Sequence, residues 1–286
     1  MLALTNRVIL LKGGIERKEL EVQIQANGIS IGYDIEGPVD APVVTMSHSL
    51  AANRYMWWPQ MNMLRDKYRI LTYDTRGHGD TEVSKGPYSI AALADDVIGL
   101  LNALEINKTH FVGLSMGGMI GQLLAARHSD KLLSVSLCAT SCQMGPEMEP
   151  VWDQRIKNAL INGMSTLAET TIERWFTEPF LTNNKNDVER ISQMIKATSN
   201  EGFASCGAAI KALDQIKDLE RIMIPALILV GADDPSTPPS ASEIIHKHVR
   251  NSEMHIIKSA SHLLNIEQAE QFNEKLLVFL QKHDRS

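Results

Sequence analysis

Cysteine is scarce in this chain. Cys138, Cys142 and Cys206 are the only three among 286 residues. So odd and sparse a set makes no disulfide framework and favours a reducing, cytoplasmic setting. Basic clusters are missing as well. Lysine and arginine number 28 against 34 acidic residues, a formal net charge of −6. Neither nucleic-acid binding nor docking on an anionic membrane fits that balance. No apolar run reaches the roughly 18 residues of a membrane span. The apolar piece Val8-Ile9-Leu10-Leu11 is short, gives way to Lys12 and has no small-residue cleavage site behind it. It is therefore not read as a signal peptide. Internal repeats and low-complexity segments do not stand out.

What remains is ordinary globular material, 44% apolar and 22% charged. It suffices for one large α/β domain or for a domain carrying an insertion. Residues 21–36 alternate apolar and polar around Asn27-Gly28, the signature of a tight hairpin. Strand-like runs follow at 43–46, 69–73, 109–112 and 132–138. Helical periodicity covers 90–104, with Ser89 as N-cap, and 116–128. Residues 143–213 hold helical patterns and no convincing strand. Strands resume at 226–230 and 254–258, and an amphipathic helix at 267–282 closes the chain. The alternation predicts a mostly parallel sheet with helices on both faces. The expected layout is an N-terminal leader at 1–20, a core at 21–142 and 214–286, and a helical cap at 143–213. The leader reads as a disordered segment, an extra strand, or residues translated from an upstream start.

The pentapeptide Gly113-Leu114-Ser115-Met116-Gly117 falls between a predicted strand and a predicted helix. There the serine would sit at the apex of a sharp turn, with glycines letting strand and helix approach. Chance supplies such a pentapeptide in roughly one chain in ten of this length, so its context carries the weight. A serine hydroxyl needs a base. Downstream, Asp233-Asp234 follows the strand at 226–230 and His262 follows the strand at 254–258. The order Ser, Asp, His, each on a post-strand loop, is far more specific than the pentapeptide. His262 is the expected base, and an aspartate of the 233–234 pair the group that orients it. Among the other histidines, His78 in Arg76-Gly77-His78-Gly79 is expected to be structural. His48 is expected to shape its loop, while His128 and His283 are expected to be solvated. His246 and His248, two apart on one helix, do not form a metal pair. An oxyanion hole would take its N–H donors from Met116 and from Leu50 in the loop after residues 43–46. Asp74 and Arg76 are expected to pair with each other and hold two loops together.

Several longer stretches carry a resemblance. They are Tyr73-Asp-Thr-Arg-Gly-His-Gly79, Gly86-Pro-Tyr-Ser-Ile90 and His110-Phe-Val-Gly-Leu-Ser-Met-Gly-Gly-Met-Ile-Gly-Gln122. The cap contributes Trp152-Asp-x-Arg155, Glu173-Arg-Trp-Phe-Thr177 and Cys206-Gly-Ala-Ala-Ile210. Asp234-Pro-Ser-Thr-Pro-Pro239 and Ser261-His-Leu-Leu-Asn-Ile-Glu-Gln268 complete the set. From Glu21 onward the chain resembles the α/β-hydrolase superfamily, and within it most resembles 3-oxoadipate enol-lactonases. It departs in its added N-terminal residues and in Thr81, where relatives often carry serine. The resemblance implies an α/β-hydrolase fold and a triad of Ser115, Asp234 and His262, which selects Asp234 over Asp233. It also implies an ester or lactone hydrolase working through an acyl-enzyme, with a small-molecule ester or lactone as partner and no cofactor or metal. An enol-lactone of this kind carries a free carboxylate. Arg155 and Arg174 are therefore candidate carboxylate binders, and Trp57, Trp152 and Trp175 candidate pocket walls. Competing readings are an acyl-homoserine lactonase, a general carboxylesterase with perhydrolase side activity, and a non-catalytic receptor on the same fold. A homo-oligomer remains open.

Overall fold

The computed structural model describes residues 3–10 and 16–284, and only the backbone of those before Val22. Residues 1, 2 and 11–15 of the expected leader lie outside the described residues, as do 285 and 286. Among the described residues nine strands form one sheet. They are β1 (Ala3–Leu10), β2 (Glu16–Ala26), β3 (Ile29–Glu36), β4 (Val43–Ser47), β5 (Arg69–Tyr73), β6 (Thr109–Leu114), β7 (Leu132–Cys138), β8 (Ala226–Gly231) and β9 (Ser252–Ile257). Their order is β1-β2-β3-β5-β4-β6-β7-β8-β9. The pairs β1–β2, β2–β3 and β3–β5 are antiparallel, and every pair from β4 onward is parallel. The expected leader thus supplies β1 and the start of β2.

Local chemistry accounts for the elements. Asn27 and Gly28 both take positive φ, +48° and +78°, so Ala26 faces Ile29 across a two-residue turn. Asparagine and glycine tolerate that conformation, and its twist matches the strands it joins. Ser89 caps the Ile90–Ala103 helix by accepting the Ala92 N–H at 3.1 Å. Strands β6 and β8 are buried at every position, as strands covered by helices on both faces must be. The C-terminal helix corrects expectation. A short turn, Leu264–Glu267, comes first, Gln268 leaves helical geometry, and the long helix is Ala269–His283.

Between β7 and β8 the chain makes a helical excursion. Its main helices are Glu149–Asn162, Ser165–Trp175, Glu178–Asn183, Lys185–Ala197 and Asn200–Lys211. A small antiparallel neck closes it, with Gln143 bridging Asp214. The Met144 N–H donates to Leu213 O and the Gln215 N–H to Cys142 O. Before β8 begins the chain crosses back past the sheet; the excursion itself opens and closes at one neck, beyond the C-terminal ends of the parallel strands. Ligands of open α/β sheets bind at that end.

Candidate active site

Ser115 stands between β6 and the Met116–Arg127 helix with φ 57° and ψ −113°. A non-glycine residue holds such a backbone only when its surroundings impose it. Here they do. The Ser115 N–H donates to Cys138 O at 2.8 Å, and its carbonyl accepts from the Thr140 hydroxyl at 2.7 Å. A Cβ on Gly113 would lie 2.1 Å from Gly117 O, and one on Gly117 would lie 2.2 Å from Ser47 O. Strand, turn and helix fit only because both positions lack a side chain.

His262 and Asp234 meet in loops after β9 and β8. His262 Nδ1 lies 2.8 Å from Asp234 Oδ2. The other carboxylate oxygen, Oδ1, accepts the N–H groups of Ser236 and Thr237 at 2.8 and 3.1 Å, and the Thr237 hydroxyl donates to Oδ2 at 2.7 Å. Burial opposes the charge on Asp234, but the His262 ring and the Thr237 donors hold its carboxyl below the usual value. An ionised carboxylate only accepts, so Nδ1 carries the proton and Nε2 is left as the free acceptor. Asp233 is exposed and takes no part in this pairing. Ser115 and His262 line one cavity of about 480 Å³ beneath the helical excursion.

The same cavity is walled by Leu50, Trp152, Arg155, Arg174 and Trp175, with apolar surface from Met144, Met148 and Ile210. Among the described residues, neither the Leu50 nor the Met116 N–H finds a backbone acceptor, as donors for an incoming oxyanion require. The Leu50 loop is held by two imidazoles. His48 Nε2 accepts the Thr75 N–H at 2.8 Å, and His78 Nε2 accepts the Ala51 N–H at 3.1 Å. Burial pushes His48 down to about 4 and His78 down to about 3, so both are neutral acceptors. The cysteines are free and buried, and burial pushes the Cys142 thiol up to about 11. Thiols so disfavoured as thiolates are inert.

Arg155 lies 4.5 Å over the Trp152 ring and 5.8 Å from that of Phe203. Among the described residues it meets no carboxylate. Desolvation, with Arg174 nearby, pushes it down to about 10, which still leaves it cationic at neutral pH. Among the described residues the Arg174 side chain makes one hydrogen bond, to the Thr171 hydroxyl at 3.3 Å. Among the described residues neither guanidinium is ion-paired to a carboxylate, though Glu173 acts on Arg174 through its charge, and both line the cavity that holds Ser115.

Two expectations need correction. Trp57 is fully buried away from the cavity, its ring 6.4 Å from that of Phe272 on the C-terminal helix. The short turn Arg54–Trp57 buries Arg54, Met56 and Trp57, so the indole joins the core. Asp74 and Arg76 do not pair with each other. Asp74 binds Arg54, and Arg76 binds Asp96 at 2.5 Å. Arg54 also binds Asp34 at 2.5 Å and Asp80 at 2.7 Å. Thr237 and Glu267 were part of recognisable stretches, yet nothing local announced their contacts. The one hint for Glu267 is an acidic residue closing the apolar run Leu263-Leu-Asn-Ile266.

A family model described as the alpha/beta hydrolase fold matches residues 42–269. The 3-oxoadipate enol-lactonase 2 of Acinetobacter baylyi is 34% identical over 259 residues, covering 91% of this chain and 96% of its own length. The solved enol-lactonase from Burkholderia xenovorans is 37% identical with a TM-score of 0.87, covering 91% of this chain and 99% of its own. A thermophilic esterase from Thermogutta terrifontis, solved with malate bound, is 29% identical with a TM-score of 0.86, covering 92% and 98%.

Proposed function

Since the chain belongs to the alpha/beta hydrolase family, we propose that it opens a carboxylate-bearing lactone through an acyl-enzyme on Ser115. In this reading His262 Nε2 takes the Ser115 proton as the hydroxyl attacks the lactone carbonyl. Asp234 keeps the proton on Nδ1 and stabilises the imidazolium. The Leu50 and Met116 N–H groups receive the oxyanion. Collapse breaks the ring C–O bond, and His262 protonates the leaving enol oxygen. The enol then tautomerises to a ketone, which keeps the ring from closing again. Water, deprotonated by His262, releases the acid.

One observation carries the substrate class: Arg155, in the same cavity as Ser115, meets no carboxylate of the protein among the described residues. A guanidinium left this way fits a ligand carboxylate bidentately. The excursion acts as the cap that closes over it. Similarity to two enol-lactonases supports 3-oxoadipate enol-lactone as that ligand. Among the described residues no helix is long and apolar enough to cross a membrane. The free, buried cysteines suit a reducing compartment, and we place the protein in the cytoplasm.

Steady-state kinetics on the enol-lactone, acyl-homoserine lactones and p-nitrophenyl esters test this. The expected order has the carboxylate-bearing enol-lactone first by kcat/KM. A preference for long neutral acyl chains would overturn it, giving the apolar wall of Met144, Met148 and Ile210 the leading role. Tight binding with no turnover of any ester would make the chain a receptor.

A further inference from the structure

The loop that carries His262 is fastened on both sides to one segment of the helical excursion. Ser261, before the histidine, donates its hydroxyl to Arg174 O at 2.9 Å. Leu263, after it, donates its N–H to Trp175 O at 3.0 Å. Glu267 makes the third tie. Its Oε2 accepts the Ser261 N–H at 2.7 Å, and its Oε1 accepts the Thr177 N–H at 3.0 Å together with the Thr177 hydroxyl. Arg174 and Trp175 also wall the cavity, and the Trp175 ring stands 6.1 Å from the His262 ring.

Glu267 is unusual among the buried acids. Asp74 has Arg54, Asp96 has Arg76 and Asp234 has His262. Among the described residues Glu267 faces no cation, only two backbone N–H groups and one hydroxyl. A buried carboxylate without a counter-charge is a poor way to gain stability. It is a good way to fix geometry, because each oxygen is a strong acceptor and the two point at different elements. Glutamine at this position would keep one acceptor and turn an NH₂ group towards a donor.

We propose that Glu267 is a positioning residue that locks the base loop to the Arg174–Thr177 segment, so that the wall contacting the substrate and the His262 imidazole move as one body. Substrate seated against Arg174 and Trp175 then meets an imidazole already aimed at Ser115. A loosened tie leaves the cavity able to bind while the base is misaimed, and misplacement of about 1 Å can cost 10²-fold in rate. The inference rests on the reading of His262 as base.

The test uses the full chain with p-nitrophenyl acetate, which needs the base whatever the natural lactone is. Glu267→Gln is expected to lower kcat roughly 10-fold or more with KM little changed. Thr177→Val should lower kcat less, and Thr177→Ser, which keeps both donors, should recover most of that loss. The low-field proton on His262 Nδ1 should shift or broaden in Glu267→Gln and Thr177→Val. Wild-type kcat with an unmoved proton signal in a folded Glu267→Gln protein overturns the proposal. A kcat loss fully explained by a smaller folded fraction, with Thr177→Val like wild type, overturns it too. His262→Ala serves as the separate control: retained esterase activity there would refute the base assignment itself, whatever Glu267 does.

Discussion

Ser115 and Arg155 illustrate how much a single side chain depends on what it lacks. Ser115 is held in a left-handed backbone by Cys138 and Thr140. With its hydroxyl removed, Ser115→Ala should cost turnover by roughly 10⁴- to 10⁶-fold, read from kcat in a protein of unchanged circular dichroism. A variant within tenfold of wild type would refute the proposed nucleophile role. Arg155 is a partly buried cation with no anion beside it among the described residues. Arg155→Met should lower kcat/KM for a carboxylate-bearing lactone by roughly 10²-fold, while p-nitrophenyl acetate stays within about threefold. Its melting temperature should not fall, because an uncompensated charge leaves the interior. Equal losses on charged and neutral substrates would assign Arg155 to bracing instead. Gly117→Ala drives a methyl group to 2.2 Å from Ser47 O. It should lower Tm by roughly 5 °C or more as the Ser115 turn shifts.

At the scale of elements, two loops are sewn together by neutral imidazoles. His48 and His78 accept backbone N–H groups from Thr75 and Ala51, and their rings lie 5.2 Å apart. Protonation would destroy both acceptors. An unfolded histidine titrates near 6.5, whereas burial holds these at about 4 and about 3. Below pH 6.5 the unfolded chain therefore binds protons that the folded chain refuses. The stability these groups contribute is complete above 6.5 and is lost as pH falls towards 4 and 3. Each contributes a slope of up to about 1.4 kcal/mol per pH unit. Thermal melts between pH 7 and pH 4 should show a steep decline in Tm. His78→Gln, which offers the Ala51 N–H an uncharged acceptor, should flatten it. Equal slopes for the two proteins would mean that other groups drive acid unfolding. Below about pH 4 Asp234 adds to the decline, since a carboxyl held low in the folded state loses its stabilisation as it protonates.

For the whole molecule, the parallel sheet and the helical excursion should differ in local stability. β6 and β8 are buried throughout, whereas the Glu149–Asn162 helix buries only Trp152 and Ala159 and joins the sheet through a two-stranded neck. Amide exchange should be slowest in β6 and β8, at the rate set by global unfolding. It should be roughly 10- to 100-fold faster in the Glu149–Asn162 helix through partial opening. Uniform exchange across both regions would make the excursion part of the same cooperative unit. The chain alone determined the elements with strong local chemistry. The Asn27-Gly28 turn, the Ser89 cap and the strand–turn–helix at Ser115 are written in short-range sterics and capping, and alternation of strand and helix dictates a parallel sheet. The order Ser115, Asp234, His262 was legible for the same reason, because each follows its own strand. Trp57 and the partners of Asp74 and Arg76 were not. A tryptophan suits a pocket and a core equally, and Asp74 and Arg76 lie past the end of β5, where no strand period fixes which way a side chain points, so only packing decides what each meets. Asp234 over Asp233 rested on resemblance in the sequence and on burial in the fold. Glu267 lies beyond any local rule, since its three donors come from Ser261 and from Thr177, 90 residues away. Hydrogen bonds across such separations exist only once the sheet has brought the excursion down onto the histidine loop.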